Sequence, residues 1–160
     1  MKTQKEIKEL FKQAKEGTLP GNFNQWDLAN KTGWTVAHEA ASFGHLPNNF
    51  KQWNLADMWG WTVAHEAVHH DYLPEYFQSW DLAGEDNWTV AHEAAHYGHL
   101  PKDFNQWNLA DENGWTVAHE AAFWGHLPDD FDQWNLKNND GQTVASIARL
   151  YNNLPKDFKC

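Results

Sequence analysis

Two stretches of the chain carry the residue types and spacing of a zinc hydrolase: HEAVH, with His65, Glu66 and His69, and HEAAH, with His92, Glu93 and His96. On a helix, imidazoles four residues apart face one way, and the Glu between them would act as general base toward a metal-bound water. The rest of the sequence argues for a different use. His38 with Glu39 and His119 with Glu120 repeat the first half of the motif, while Ser42 and Phe123 stand where the second His would be. A zinc hydrolase also needs a third ligand and a cleft, and the chain after His96 reads YGHLPKD, without the spacing of such a ligand. Metal-dependent hydrolysis is therefore the lesser reading. No catalytic residue, metal or cofactor is assigned, and zinc or nickel at His69, His70, His96 and His99 would be adventitious. Ser42, Ser79 and Ser146 lie in no nucleophile-elbow pattern, and the glycines form no phosphate-cradling loop.

The elements that position these residues repeat. Leu-Pro recurs at Leu19, Leu46, Leu73, Leu100, Leu127 and Leu154, always 27 residues apart, and a fixed period in this range signals a stacked architecture. Within each period Leu-Pro is followed by Phe (23, 50, 77, 104, 131), then Trp (26, 53, 80, 107, 134), then a polar turn closing on Gly33, Gly60, Gly114 and Gly141, with Asn87 in the third copy. Glycine and asparagine both tolerate positive φ. WTVAHEA then begins at Trp34, Trp61, Trp88 and Trp115, with a diverged QTVASIA at Gln142. Each copy reads as two short helices. Thr35 and its equivalents are N-caps of a first helix of about ten residues, which Gly44, Gly98 and Gly125 end. Leu46-Pro47 opens a second, with Phe50 and Trp53 on one face. Neither buries its apolar face alone, so the copies must stack. Residues 1–18 read as an N-terminal capping helix: Thr3 and Glu6 make a capping box, and Ile7, Leu10, Phe11 and Ala14 form one apolar face.

The segment DENGWTVAHEAAFWGHLPDDF, residues 111 to 131, resembles the ankyrin repeat: an Asp-led turn, Gly, Thr-x-x-His, paired alanines, and Gly-His closing the helix. The pattern recurs in four copies between Asn30 and Asn153. It departs from the family in its period, 27 against about 33 residues, and in Val for the Pro that follows Thr. The resemblance implies an all-α solenoid of helix-turn-helix repeats, five of them over residues 19–160. The last, about 138–160, is a C-terminal cap in which Gln142, Ser146, Ile147 and Arg149 replace Trp, His, Glu and Ala. It also implies a structural role for the His, bonded to the Thr three residues before it, and a recognition surface made of turn tips and the inner helix face.

Differences among the copies fall on those two surfaces. The turn pairs are Lys31-Thr32, Met58-Trp59, Glu85-Asp86 and Glu112-Asn113; the helix pairs are Ser42-Phe43, His69-His70, His96-Tyr97 and Phe123-Trp124. The partner-binding candidates are accordingly Phe43, Met58, Trp59, His69, His70, Glu85, Asp86, His96, Tyr97, Glu112, Asn113, Phe123 and Trp124. A ring-bearing series, Phe43, His70, Tyr97, Trp124 and Tyr151, either anchors a partner or packs on its equivalent in the next copy. The constant Trp34, Trp61, Trp88 and Trp115 fit stacking and a shared contact equally.

Charge narrows the partner. With 12 Lys and Arg against 22 Asp and Glu, the formal net is −10, which leaves no sequence-wide basis for nucleic-acid or anionic-membrane binding. Residues 1–16 hold five Lys and three Glu, so the acidic excess lies in the remainder, where it either favours a partner with a basic surface or solvates the loops. No apolar stretch approaches the roughly 20 residues of a membrane span. The lone Cys160 forms no internal disulfide and suits a reducing cytoplasm. The reading is a monomeric, non-catalytic protein-interaction module or scaffold, with a structural or engineered repeat lacking a dedicated partner as the alternative. Elemental analysis is expected to find no stoichiometric zinc, and Glu66→Gln or Glu93→Gln to remove no hydrolytic activity. His65→Ala or His92→Ala should instead lower stability by about 1–3 kcal/mol, measured by denaturant unfolding.

Overall fold

The computed structural model describes residues 2–156 and 158, so Cys160 lies outside the described residues. Among the described residues the regular structure comprises six α-helices, α1 (Gln4–Glu16), α2 (Val36–Ser42), α3 (Val63–His69), α4 (Val90–Tyr97), α5 (Val117–Trp124) and α6 (Val144–Leu150), and a short 3-10 turn at Glu85–Asn87. Among the described residues, β pairing is limited to isolated bridges such as Ala29 with Thr35 and Ala110 with Thr116. The fold is all-α, and α2 to α6 begin at 27-residue intervals.

Contacts group the chain into two units. The first comprises Met1–Phe77 with Leu82–Glu85, and the second Gln78–Asp81 with Asp86–Cys160. In the first, α1 packs on α2 and α2 on α3; in the second, α4 packs on α5 and α5 on α6. Helix α1 starts at the Thr3/Glu6 capping box, ends at Gly17 in the left-handed region, and buries Ala14 completely.

Each later copy holds one α-helix of seven or eight residues, and among the described residues the second helix expected after Leu-Pro does not form. Two successive tight turns replace it. Phe50 N–H donates to Pro47 O (2.9 Å) and Leu55 N–H to Gln52 O (3.2 Å), and the same pair recurs at Phe104/Leu109 and Phe131/Leu136. Asn48, Asn49 and Asn54 compete for backbone hydrogen bonds and favour turns over helix. Two helical turns would also be too short to offset their own nucleation cost.

The apolar side chains of that segment are buried or half-buried nonetheless. In the first unit Phe23, Trp26, Phe50, Trp53 and Phe77 meet edge to face in sequence, at centroid distances of 4.9, 5.6, 5.0 and 5.6 Å. In the second, Trp80, Phe104, Trp107, Phe131 and Trp134 do the same at 5.8, 5.0, 5.3 and 5.1 Å. Such pairs are worth about 0.5–1.5 kcal/mol each beyond the area they bury. A ladder of rings thus supplies the packing that a second helix was expected to provide. Truncating one rung leaves a cavity with partners on both sides, so Phe104→Ala or Trp107→Ala should cost about 3–5 kcal/mol, seen as a large drop in the denaturation midpoint.

Candidate functional site

Helices of seven or eight residues leave half of their N–H groups without intrahelical partners, and in α2 each of those groups is met. In α2 the Thr35 hydroxyl accepts from His38 N–H (3.2 Å), and His38 Nδ1 accepts from Thr35 N–H (3.2 Å) and faces the Thr35 hydroxyl at 2.7 Å. Val36 and Ala37 N–H donate to Leu28 O (2.8 Å) and Trp26 O (3.1 Å) in the turns before the helix. The Thr/His box recurs at Thr62/His65, Thr89/His92 and Thr116/His119.

Because Nδ1 accepts, the proton of the neutral ring sits on Nε2. It is donated 23 residues onward: His38 to Trp61 O (2.9 Å), His92 to Trp115 O (3.0 Å) and His119 to Gln142 O (3.1 Å). The four histidines are fully buried. Burial holds His38, His92 and His119 below the usual histidine pKa, against an opposing pull from the backbone carbonyl each one bonds and from nearby carboxylates.

The glutamate of WTVAHEA is the second node. Its Oε2 accepts the indole N–H of the Trp five residues earlier: Trp34 to Glu39 (3.2 Å), Trp61 to Glu66 (3.1 Å), Trp88 to Glu93 (3.1 Å) and Trp115 to Glu120 (2.8 Å). Each of these indoles also lies 4.8–5.2 Å from the His of its own copy. The constant Trp series is therefore engaged within the chain. The other carboxylate oxygen takes groups from the helix pairs: Glu66 Oε1 accepts Ser42 Oγ (2.6 Å) and His70 Nε2 (3.1 Å), and Glu120 Oε1 accepts His96 Nδ1 (2.9 Å) and Trp124 Nε1 (2.8 Å).

Most side chains of the apparent metal motif are bonded within the chain. In HEAAH both nitrogens of His92 are bonded, and His96 bonds Glu120 instead of sharing a ligand with His92. In HEAVH, His65 Nδ1 faces Thr62 at 2.8 Å, and Glu66 binds indole, hydroxyl and imidazole. Among the described residues, no three His, Cys, Asp or Glu side chains gather to hold a metal ion.

Several binding candidates do come together. In the second unit His96 lies 4.5 Å from both Tyr97 and Trp124, Phe123 lies 5.0 Å from Trp124, and Tyr151 lies 4.1 Å from Phe123. The rings of the series pack on the first member of a helix pair, Tyr97 on His96, Trp124 on His96 and Phe123, and Tyr151 on Phe123, and Tyr97, Trp124 and Tyr151 remain 39, 46 and 44% exposed. In the first unit Phe43 sits under the Lys15 ammonium at 5.0 Å, and His69 meets His70 at 4.8 Å. Met58 and Trp59 stand exposed on the turn that closes on Gly60. Glu85, Asp86, Glu112 and Asn113 are exposed turn residues, and neighbouring turns are tied by Met58 N–H to Thr32 O (2.9 Å), Glu112 N–H to Asp86 O (2.9 Å) and Asn139 N–H to Asn113 O (3.0 Å).

Two further contributions are not evident from the sequence. One is the glutamate node, whose signal is the constant Trp five residues before it. The other is the residue after the helix-ending glycine, or after left-handed Asn152 in the last copy, which caps the helix one copy earlier. His45 Nδ1 reaches Ala14 O (3.1 Å), His126 Nδ1 reaches Ala95 O (2.8 Å), and Asn153 Nδ2 donates to Ala122 O (3.0 Å) and Phe123 O (2.8 Å). Gly98 (φ 75°) is needed there twice over, since a Cβ would also stand 3.2 Å from the His126 ring.

No protein-family model and no curated protein matches the chain. Its fold is similar to that of a chain in a solved structure of a predatory endopeptidase from Bdellovibrio bacteriovorus in complex with an immunity protein. That similarity has a TM-score of 0.65 at 23% identity over 90% of this chain and 92% of that one. A likeness at this identity concerns the fold alone. Among the described residues, no helix is long and apolar enough to cross a membrane.

The lowered histidine pKa values set a pH dependence. Unfolded, each ring takes a proton near its ordinary value of about 6.5, whereas the folded site favours the neutral form. The stability contributed is complete above that value and is lost as pH falls toward the lowered folded values. The melting temperature should therefore fall between pH 7.5 and pH 5, and His119→Gln should lower it at pH 7.5 while reducing the slope with pH.

Proposed function

We propose that the chain is a non-catalytic protein-binding module. It is built as a solenoid of short ankyrin-like repeats that hold another protein against their turn tips and inner helix face. The observation that carries this reading is the run of exposed rings at Tyr97, Trp124 and Tyr151, braced by the buried Glu120 carboxylate and the Phe123 ring. Rigid rings fixed by hydrogen bonds lose little freedom on binding, which is what an interface anchor requires. Groups that would serve a hydrolase are engaged elsewhere: His92 in helix capping and an inter-repeat bond, Glu66 with Trp61, Ser42 and His70, and His96 with Glu120. A protein partner also accords with the similar fold found in a structure of two proteins in complex. The cytoplasmic setting rests on the single cysteine, which a reducing compartment suits.

Tyr97→Ala should change folding stability by no more than about 0.5 kcal/mol, and Trp124→Ala, which also removes a bond to Glu120, by about 1 kcal/mol. Both lie well below the cost at Phe104. The double variant should stay folded and lose a protein that the wild-type chain retains in affinity capture from its native cell. If it melts as Phe104→Ala does, or captures the same protein undiminished, the surface is misassigned.

A further inference from the structure

At the end of α2 the chain carries a cation on an aromatic ring: the Lys15 ammonium stands 5.0 Å from the Phe43 centroid, within cation–π range. Phe43 occupies the helix position that recurs as Tyr97, Trp124 and Tyr151. His96 stands 28 residues before Trp124 as Lys15 stands 28 before Phe43, and its ring lies 4.5 Å from the indole. The same geometric site thus accepts a nitrogen-bearing group from the preceding helix in both units, while Trp124 keeps 46% of its surface exposed.

The electrostatics of the second unit point the same way. Trp124 donates its indole N–H to Glu120 at 2.8 Å, and a carboxylate accepting that proton pushes electron density into the ring. Asp86, Glu112 and Asp140 are exposed on successive turns, joined by the backbone bonds from Glu112 to Asp86 and from Asn139 to Asn113. Residues 86–160 hold eleven acidic and five basic residues, a net of −6.

We infer that the Tyr97–Trp124–Tyr151 surface receives a cationic segment of its partner protein, with an arginine guanidinium stacked on Trp124 and further basic groups facing Asp86 and Glu112. Arginine fits better than lysine because its guanidinium is planar, weakly hydrated and stacks on aromatic faces. This deepens the protein-binding reading and rests on it.

The test uses the full chain titrated with nona-arginine, nona-lysine and the neutral isostere nona-citrulline, by calorimetry at near-physiological salt and by NMR of the tryptophan indole N–H signals. Nona-arginine should bind at least tenfold more tightly than nona-citrulline, bind more tightly than nona-lysine, and shift the Trp124 indole signal. Tyr97→Leu and Trp124→Leu should each weaken it at least fivefold, with melting temperatures recorded alongside. Glu112→Gln should weaken it less and reduce its salt dependence. Equal binding of nona-citrulline would make this an apolar contact and overturn the assignment. Undiminished binding by both ring variants would reduce it to diffuse charge attraction and overturn it as well. Self-association that Trp124→Leu abolishes would make a second copy the occupant, in place of a cationic partner segment. Should Trp124→Leu unfold, the wild-type Trp124 signal decides, and an unshifted signal rejects the proposal. If a protein captured by the wild type is lost in the Tyr97→Ala/Trp124→Ala variant while nona-arginine binds both alike, the cation assignment falls and protein binding stands.

Discussion

An imidazole sealed from water keeps both nitrogens satisfied only if one accepts and the other donates, and the rest of the structure is arranged around that requirement. Nδ1 faces the Thr that begins its own helix, and Nε2 reaches a backbone carbonyl in the next copy. One neutral ring therefore caps a helix and fastens it to its successor. Losing the ring would strand a buried carbonyl and two donors at the helix start, and an unmet buried polar group costs more than a made hydrogen bond contributes. Among the described side chains, no buried nitrogen or oxygen atom lacks a partner.

That fastening explains how such short helices persist. A seven-residue helix is far below the length at which isolated helices form in water, and its stability here is borrowed from its ends and its neighbours. In α2 the N-terminus is closed by Thr, His and two turn carbonyls, and in α4 and α5 the C-terminus is closed by His126 and Asn153 of the following copy. Between copies, small alanines allow close helix contact on one side, with Ala91, Ala94 and Ala95 fully buried, while the ring ladder fills the other. The glutamate then couples this scaffold to the surface, because the carboxylate that holds the structural Trp115 also orients His96 and Trp124.

How much of this the sequence disclosed depended on whether a residue's role was local. The Thr N-caps, the Thr3/Glu6 box, the left-handed Asn87 and the Thr/His pairing were legible because each involves residues at most a few positions apart. The Leu-Pro segment misled because Phe50 and Trp53, three apart, fit a helical face as well as two turns; the asparagines around them decided for turns. The partners of Glu66 and Glu120 were hidden for another reason. Bonds spanning 24 residues, such as Ser42 to Glu66 and His96 to Glu120, emerge only when the copies are laid side by side in space. Of the binding candidates, His96, Tyr97, Phe123 and Trp124 converge on one cluster, whereas Met58 and Trp59 belong to a turn.

The capping bonds also have a direction. The starts of α2, α4 and α5 are fastened through their His to a carbonyl 23 residues ahead, and the ends of α1, α4 and α5 are capped by a side chain about 31 residues beyond the carbonyl it meets. During synthesis, then, such a helix has its N-terminus closed by groups already made, while its C-terminal cap and its tie to the next copy wait until roughly one further copy has followed it. Chain growth and bond completion proceed one copy out of step, so the newest helix is always the loosest. Each addition finishes the structure of its predecessor before its own.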